Sequence, residues 1–235
     1  MRNIFTFCLD CADIDSIKKG LEYYPLHEFS MNPSIVKRDL AGKNISFFDA
    51  VNEIRGVIGD EVRFHVQTVG DTADEIIRDA EAIRSRVKGD LLHVKVDAYE
   101  EGYKAMKYLK ANGFKVTATA IASITQALVA IECGADTVAV YVGRLDNISG
   151  NGIEVVRGIR QVMNAHNIDD VELSAASIRT AHQVEQAALA GADQVAVGLD
   201  ILKACANHPL TDLSVKQFVS DWESLYGEGK RVYNL

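Results

Sequence analysis

Proline is scarce in this sequence, three residues in 235, and no Pro/Ser-rich linker or shift of composition divides it. One folding unit is therefore expected, not separate bodies on a tether. Cysteine occurs four times, at positions 8, 11, 133 and 205. Cys8 and Cys11 have CxxC spacing, but no second pair completes a four-ligand metal site. Cys8 also falls inside an apolar strand pattern, where reduced core thiols are common, so neither a metal nor a redox centre is expected. Basic runs are missing and the formal net charge is −8. Nucleic acid is thereby disfavoured as a partner, because its binding rests on neutralised phosphates. No stretch approaches the ~18 apolar residues of a membrane span. The N-terminal MRNIFTFCLDCAD meets an acid at position 10, too early for a secretory signal. A cytoplasmic protein that does not engage membranes is the expectation.

What the chain does have is 48% hydrophobic residues, enough at this length to bury a full core. Short β-rich runs alternate with helical patterns from end to end. The candidate strands are residues 3–10, 27–32, 61–68, 91–98, 115–120, 137–143, 171–177 and 194–200. Between them, EEGYKAMKYLKANG and GIEVVRGIRQVMNAHN repeat apolar residues at i, i+3/i+4 and i+7. Gly113, Gly134 and Gly191 stand where helices should end in a left-handed residue. ECGADTVAV and LAGADQVAV are near-copies, as stacked β/α units would give. Eight strands with interleaved helices predict a single-domain (β/α)8 TIM barrel over residues 1–211. An additional C-terminal helix is expected within 212–235, carrying Phe218, Trp222 and Tyr226. A doubly wound open sheet is the alternative, but it would bring a glycine-rich loop after the first strand, and LDCADIDS is not one.

The strand LLHVKVDA alternates Leu92, Val94 and Val96 with His93, Lys95 and Asp97. Barrel strands point one parity inward, and the polar parity is the inward one almost throughout: Asp10, Glu28 with Ser30, Arg63 with His65 and Gln67, Thr117 with Thr119, and Tyr141. Asp10, Asn32, Gln67, Lys95, Thr119 and Tyr141 would then converge at the C-terminal rim, where barrel enzymes hold their chemistry. The deeper Glu28, Arg63, His65 and His93 read as an internal, mutually satisfied polar network. Lys95 leaves three roles open. Desolvation penalises an ammonium, and a free amine is a nucleophile towards carbonyls. An ion pair with Asp97 or Asp10, or a phosphate contact, would use the same side chain.

The motifs FSMNPSIVKRD, HVQT, HVKV followed by EEG, TATAIAS, YVGRLD and SAASIRT occur in an order and near a spacing that resembles the small transaldolase family. The similarity is greatest to its short subgroup, which includes fructose-6-phosphate aldolase. That resemblance implies a class I, metal- and cofactor-independent aldolase with Lys95 as the Schiff-base lysine. It assigns Asp10 and Asn32 to orienting substrate hydroxyls and the lysine, and Gln67, Thr119 and Tyr141 to a catalytic water. Ser34 follows Asn32 in the same substrate-binding motif, while Arg144, Ser177 and Arg179 match positions that grip the substrate phosphate. True transaldolases carry Glu at the position of Gln67, so this residue favours the aldolase. The implied substrate is a sugar phosphate or dihydroxyacetone, and the implied assembly a homo-oligomer, a decamer of two pentamers, with the C-terminal helix on a neighbouring subunit. Transaldolase activity and a non-catalytic sugar-phosphate-binding barrel are the other readings. The chain departs from the pattern at Met31, Asp97 and Gly143. Asp97 shares a strand face with Lys95, and is either an obstacle to the free amine or a further acid/base or hydroxyl contact.

Overall fold

The computed structural model describes residues 5–235. Eight strands close into one parallel barrel in chain order. They are β1 (Thr6–Asp10), β2 (Glu28–Ser30), β3 (Arg63–Gln67), β4 (Leu92–Asp97), β5 (Lys115–Ile121), β6 (Thr137–Tyr141), β7 (Glu172–Ala176) and β8 (Gln194–Val197). The open sheet is thereby excluded. Positions 3 and 4 of the first predicted strand lie outside the described residues. The helices that matter to the site are α1 (Ile14–Tyr23), α2 (Pro33–Leu40), α3 (Phe47–Ile58), α4 (Ala73–Arg86), α5 (Glu100–Ala111), α6 (Ile124–Glu132), α7 (Val142–Asp146), α8 (Gly152–Ala165), α9 (Ala181–Leu189), α10 (Leu199–Ala206) and α11 (Pro209–Tyr226).

The apolar parity of the strands packs against the helical ring, with Phe64, Val66, Val94 and Val96 fully buried. This is the main core, and it leaves the polar parity inside the barrel as expected. The near-copies GADTVAV and GADQVAV do the same job twice. Gly134 and Gly191 end their helices at positive φ, and Asp136 and Asp193 then accept the N–H of Val116 and Leu173 at 2.9 and 2.7 Å. Each aspartate thus ties the start of its own strand to that of a neighbour.

Register decides which inward side chains meet. Ser30 is paired with Asp10 on one side and His65 on the other, while Lys95 is paired with Gln67 and Thr117. The β5–β6 ladder slips by one residue between Ala118 and Ile121, with Ala120 at φ 59°. A bulge of this kind bends the strand and re-aims side chains, and a non-glycine residue in that conformation costs about 1–3 kcal/mol. The regular 115–120 strand of the sequence reading did not include it.

The last predicted helix begins earlier than position 212, at Pro209 in the first turn, where its missing N–H costs nothing. None of its residues is buried, and Leu213, Phe218 and Leu225 are exposed.

Candidate active site

Lys95 lies on β4 with only 6% of its surface exposed, and its side chain borders a polar cavity of about 350 Å³ at the C-terminal end of the barrel. Its Nζ donates to Ser30 Oγ at 3.0 Å, and Ser30 Oγ donates to Asp10 Oδ1 at 2.8 Å. The lysine is therefore connected to a carboxylate through a hydroxyl. Among the described residues it makes no direct ion pair with Asp10 or Asp97, which removes the ion-pair reading of this side chain. The sequence marks Ser30 only as an inward residue. The signal for its role was its place between the parities of Asp10 and His65, which becomes specific once register is known.

Asp97 is about 6.6 Å beyond Lys95 along the strand. Its carboxylate takes both contacts of Gln67 Nε2, at 3.1 and 3.3 Å. Burial raises its pKa, outweighing the opposing effects of Gln67, Lys95 and Arg144. Gln67 is consequently fixed by Asp97, and its Oε1 is left buried without a partner. Gln67 borders a second, apolar cavity of about 360 Å³ between β3 and the helices α2, α3 and α4, where Phe47, Phe48 and Val36 also lie. Thr119 sits at the β5 bulge, 0% exposed, with Oγ1 unpartnered. The expected water-holding trio is thus spread out: Tyr141 faces the polar cavity, Gln67 faces its neighbour, and Thr119 borders neither.

Asn32 joins the two cavities. It is the cap of α2, not a strand residue, and its Oδ1 accepts the N–H of Ile35 at 3.0 Å. Ser34, in the first turn of α2, borders the polar cavity, and so does Arg38 one helical turn later. Arg38 is a guanidinium the sequence reading passed over, although its i+4 relation to Ser34 was visible. It pairs through two nitrogens with Asp39, at 2.5 and 3.0 Å.

Across the mouth, Arg144 on α7 holds its guanidinium carbon 4.7 Å from the centre of the Tyr141 ring, a cation–π contact that orders the phenol. Arg179 and Ser177 follow β7 and border the same cavity. Ser177 has φ 59° and a buried hydroxyl with no partner among the described residues. The two loops are bound to each other. Gly143 N donates to the Ser177 carbonyl at 3.2 Å, and Gln183 bridges them by accepting the Arg179 N–H and donating to Asp146. A Cβ on Gly143 would stand 2.1 Å from the Ser177 carbonyl oxygen, so the departure from the family pattern at 143 is what lets the loops touch. The EEG motif has a similar cause, since a Cβ on Gly102 would stand 2.0 Å from the Asp97 carbonyl oxygen.

The CxxC pair does not converge on one centre. Cys8 is buried inside the barrel, and burial, reinforced by Glu28 and Asp10, pushes its thiol well up. Cys11 contacts Asp13 and Asp39, and burial raises it to about 11. Among the described residues, no three His, Cys, Asp or Glu side chains are grouped to hold a metal ion, and no helix is long and apolar enough to cross a membrane.

The family model Transaldolase/Fructose-6-phosphate aldolase matches residues 7–229. A Streptococcus pneumoniae protein named probable fructose-6-phosphate aldolase is 36% identical over 216 residues, 92% of this chain and 95% of the relative. A Geobacillus thermodenitrificans protein named probable transaldolase is 35% identical, over 92% of this chain and 97% of its own. Among solved structures, one described as native KDPGal aligns with a TM-score of 0.55 at 12% identity, over 84% of both chains, a likeness of fold alone. A barrel whose rim carries a buried lysine, matched over nearly its whole length by one family, has one assignment: the chain belongs to the transaldolase/fructose-6-phosphate aldolase family and is an enzyme of the aldolase–transaldolase type.

Proposed function

We propose that the chain is a class I aldolase that makes or breaks a C–C bond between a dihydroxyacetone-type donor and an aldehyde, with a sugar phosphate such as fructose 6-phosphate as the ketose. The observation that carries this is Lys95: enclosed, bordering a polar cavity, and held by a hydroxyl in place of a counter-ion. Its free amine attacks the ketose C2, and loss of water gives an iminium. The iminium accepts the electrons of the C3–C4 bond once the C4 hydroxyl gives up its proton. Tyr141 relays that proton, giving up its own phenolic proton to cavity water as it accepts, with Asp10 as the second candidate, and both border the cavity. Asn32, Ser34 and Asp97 contact sugar hydroxyls. Arg144, Ser177 and Arg179 hold the phosphate, whose charge and three acceptor oxygens suit two guanidiniums and a hydroxyl without a partner of its own.

The test is reductive trapping. Incubation with dihydroxyacetone or fructose 6-phosphate and then borohydride should leave an adduct mass on the Lys95 peptide. No adduct across a panel of ketoses would favour the sugar-phosphate-binding barrel. The relatives named probable transaldolase support a second reading, transfer of the three-carbon unit to another sugar phosphate. Release of free dihydroxyacetone, against its passage to erythrose 4-phosphate, separates the two.

The wholly unburied α11, with Leu213, Phe218 and Leu225 exposed, supports a homo-oligomer in which this helix packs on a neighbour. A decamer of two pentamers is the form we test for, by sedimentation. All four cysteines are free, which suits a reducing compartment, and we place the enzyme in the cytoplasm.

A further inference from the structure

Below Lys95 the barrel holds ionisable groups that the chemistry above leaves idle, and a small cavity joins them to the lysine. Its volume is about 20 Å³, and Lys95, Ser30, His65, Thr117, Thr137 and Gln194 are among its walls. That is room for one water, provided two to four polar partners surround it. Thr137, 1% exposed, contributes a hydroxyl with no partner among the described residues. His65, 3% exposed, is engaged at both nitrogens: Nδ1 lies 2.7 Å from Thr117 Oγ1, and Nε2 lies 2.6 Å from Glu28 Oε1. The tautomer with its proton on Nε2 satisfies both contacts, leaving Nδ1 as the acceptor of the threonine hydroxyl.

We propose that Glu28, His65 and Thr117 form a proton relay that reaches Lys95 through one water in this cavity, on the side away from the substrate. The proposal rests on the imine chemistry above. An ammonium at Lys95 passes a proton to the cavity water, which gives one of its own to Thr117 Oγ1 as that hydroxyl's proton moves to His65 Nδ1. The positive charge then sits on His65 against the Glu28 carboxylate. The lone pair freed on Nζ forms the bond to C2, and the carbonyl π electrons move to oxygen. When the imine is later hydrolysed, the proton returns along the same chain, so nothing is consumed.

The surroundings single out His65 as the resting place of that proton. Facing it are Glu28 on β2, Arg63 on its own strand, His93 and Lys95 on β4, Cys8 on β1, and Glu172, which pairs with Arg63 on the far side. His93 stacks 4.7 Å away, and burial, then Arg63 and His65 once it is protonated, push it down to about 3, so it stays neutral. The Cys8 thiol is already protonated. Burial works against ionisation of Glu28, but His65, Arg63 and Gln194 together outweigh it and hold its carboxyl below the usual range. An anion is thus ready beside the imidazole.

The experiment measures the rate of imine formation with dihydroxyacetone, by borohydride quenching at intervals and adduct mass on the Lys95 peptide, from about pH 7 to about pH 9.5. The parent is compared with His65→Phe and the nearly isosteric Thr117→Val, which serves alone if the first does not fold. Both variants should form adduct at least about tenfold more slowly near pH 7, a modest share of what general acid–base catalysis supplies. Half-saturation by dihydroxyacetone should stay put, and the deficit should close towards pH 9.5, where hydroxide from the open cavity takes over. Variants as fast as the parent near pH 7, or a deficit equal at every pH, would overturn the relay while leaving the aldolase reading intact. A parent that forms no adduct overturns both.

Discussion

Glu28, Arg63, Glu172 and Gln194 begin their strands, and at that end of the barrel each meets a partner: Arg63 lies between the two glutamates, and Gln194 donates to Glu28 at 2.9 Å. Towards the other end, Gln67 Oε1, Thr119 Oγ1 and Ser177 Oγ are buried and have none among the described residues. Both ends carry the inward polar parity of the same strands. Buried polar groups are nearly always satisfied within a protein, so the unsatisfied set marks where something else completes the bonding. One end is mostly paired within itself, with Thr137 Oγ1 and His93 Nδ1 as its unpartnered atoms, and holds the barrel together. The other borders the polar cavity of about 350 Å³.

Breaking the open end at its centre should have the largest effect. Lys95→Met is expected to lower aldol cleavage by roughly 10⁴ to 10⁶, the scale seen when a nucleophile is removed, with an unchanged circular dichroism spectrum. Retention of cleavage by this variant would rule out the imine. Gly143→Asn attacks the joined loops instead, since its Cβ would meet the Ser177 carbonyl. The expected loss in kcat/KM is about 100-fold for a phosphorylated ketose, about 2.7 kcal/mol, and much smaller for dihydroxyacetone. Equal losses for both substrates would show that the loops do not serve the phosphate.

The closed end is probed through pH. His93 is neutral in the fold with a pKa of about 3, against 6.5 for an ordinary histidine. The unfolded chain therefore binds one more proton below pH 6.5, and the stability present above that value is lost as pH falls towards 3. The slope is about 1.4 kcal/mol per pH unit from this group. His93→Leu should remove that part of the slope in urea unfolding followed between about pH 6.5 and pH 4. An unaltered slope would mean that another group carries the dependence. The smallest effect is expected from Asp97→Asn, which keeps an acceptor for Gln67 Nε2. A change of only a few-fold in kcat fits a hydroxyl contact, whereas a loss of about 10² or more would make Asp97 the acid/base.

Much of this contrast was legible beforehand because alternation along one strand is a local property. LLHVKVDA shows Lys95 facing inward without reference to any other residue. What stayed hidden depends on two strands at once. Ser30 relays Asp10 to Lys95 only through the β1–β2 and β2–β3 registers. Thr119, within the β5 irregularity, does not border the cavity that parity assigns to it. Gly143 looked like a mere departure from pattern, since the Ser177 carbonyl that forbids a side chain there is 34 positions away in sequence. The ion pair of Lys95 with Asp97, one of the roles left open, is absent for the same reason, because Gln67 on the adjacent strand takes that carboxylate.

The bare α-carbon at 143 carries a lesson for redesign. With the β6 and β7 loops pressed together there, the seat proposed for the substrate's phosphate is a rigid one in which neither half can be exchanged alone. The opposite lip, formed by the single helix bearing Ser34 and Arg38, is free of that constraint, and it is where new aldehydes should be sought.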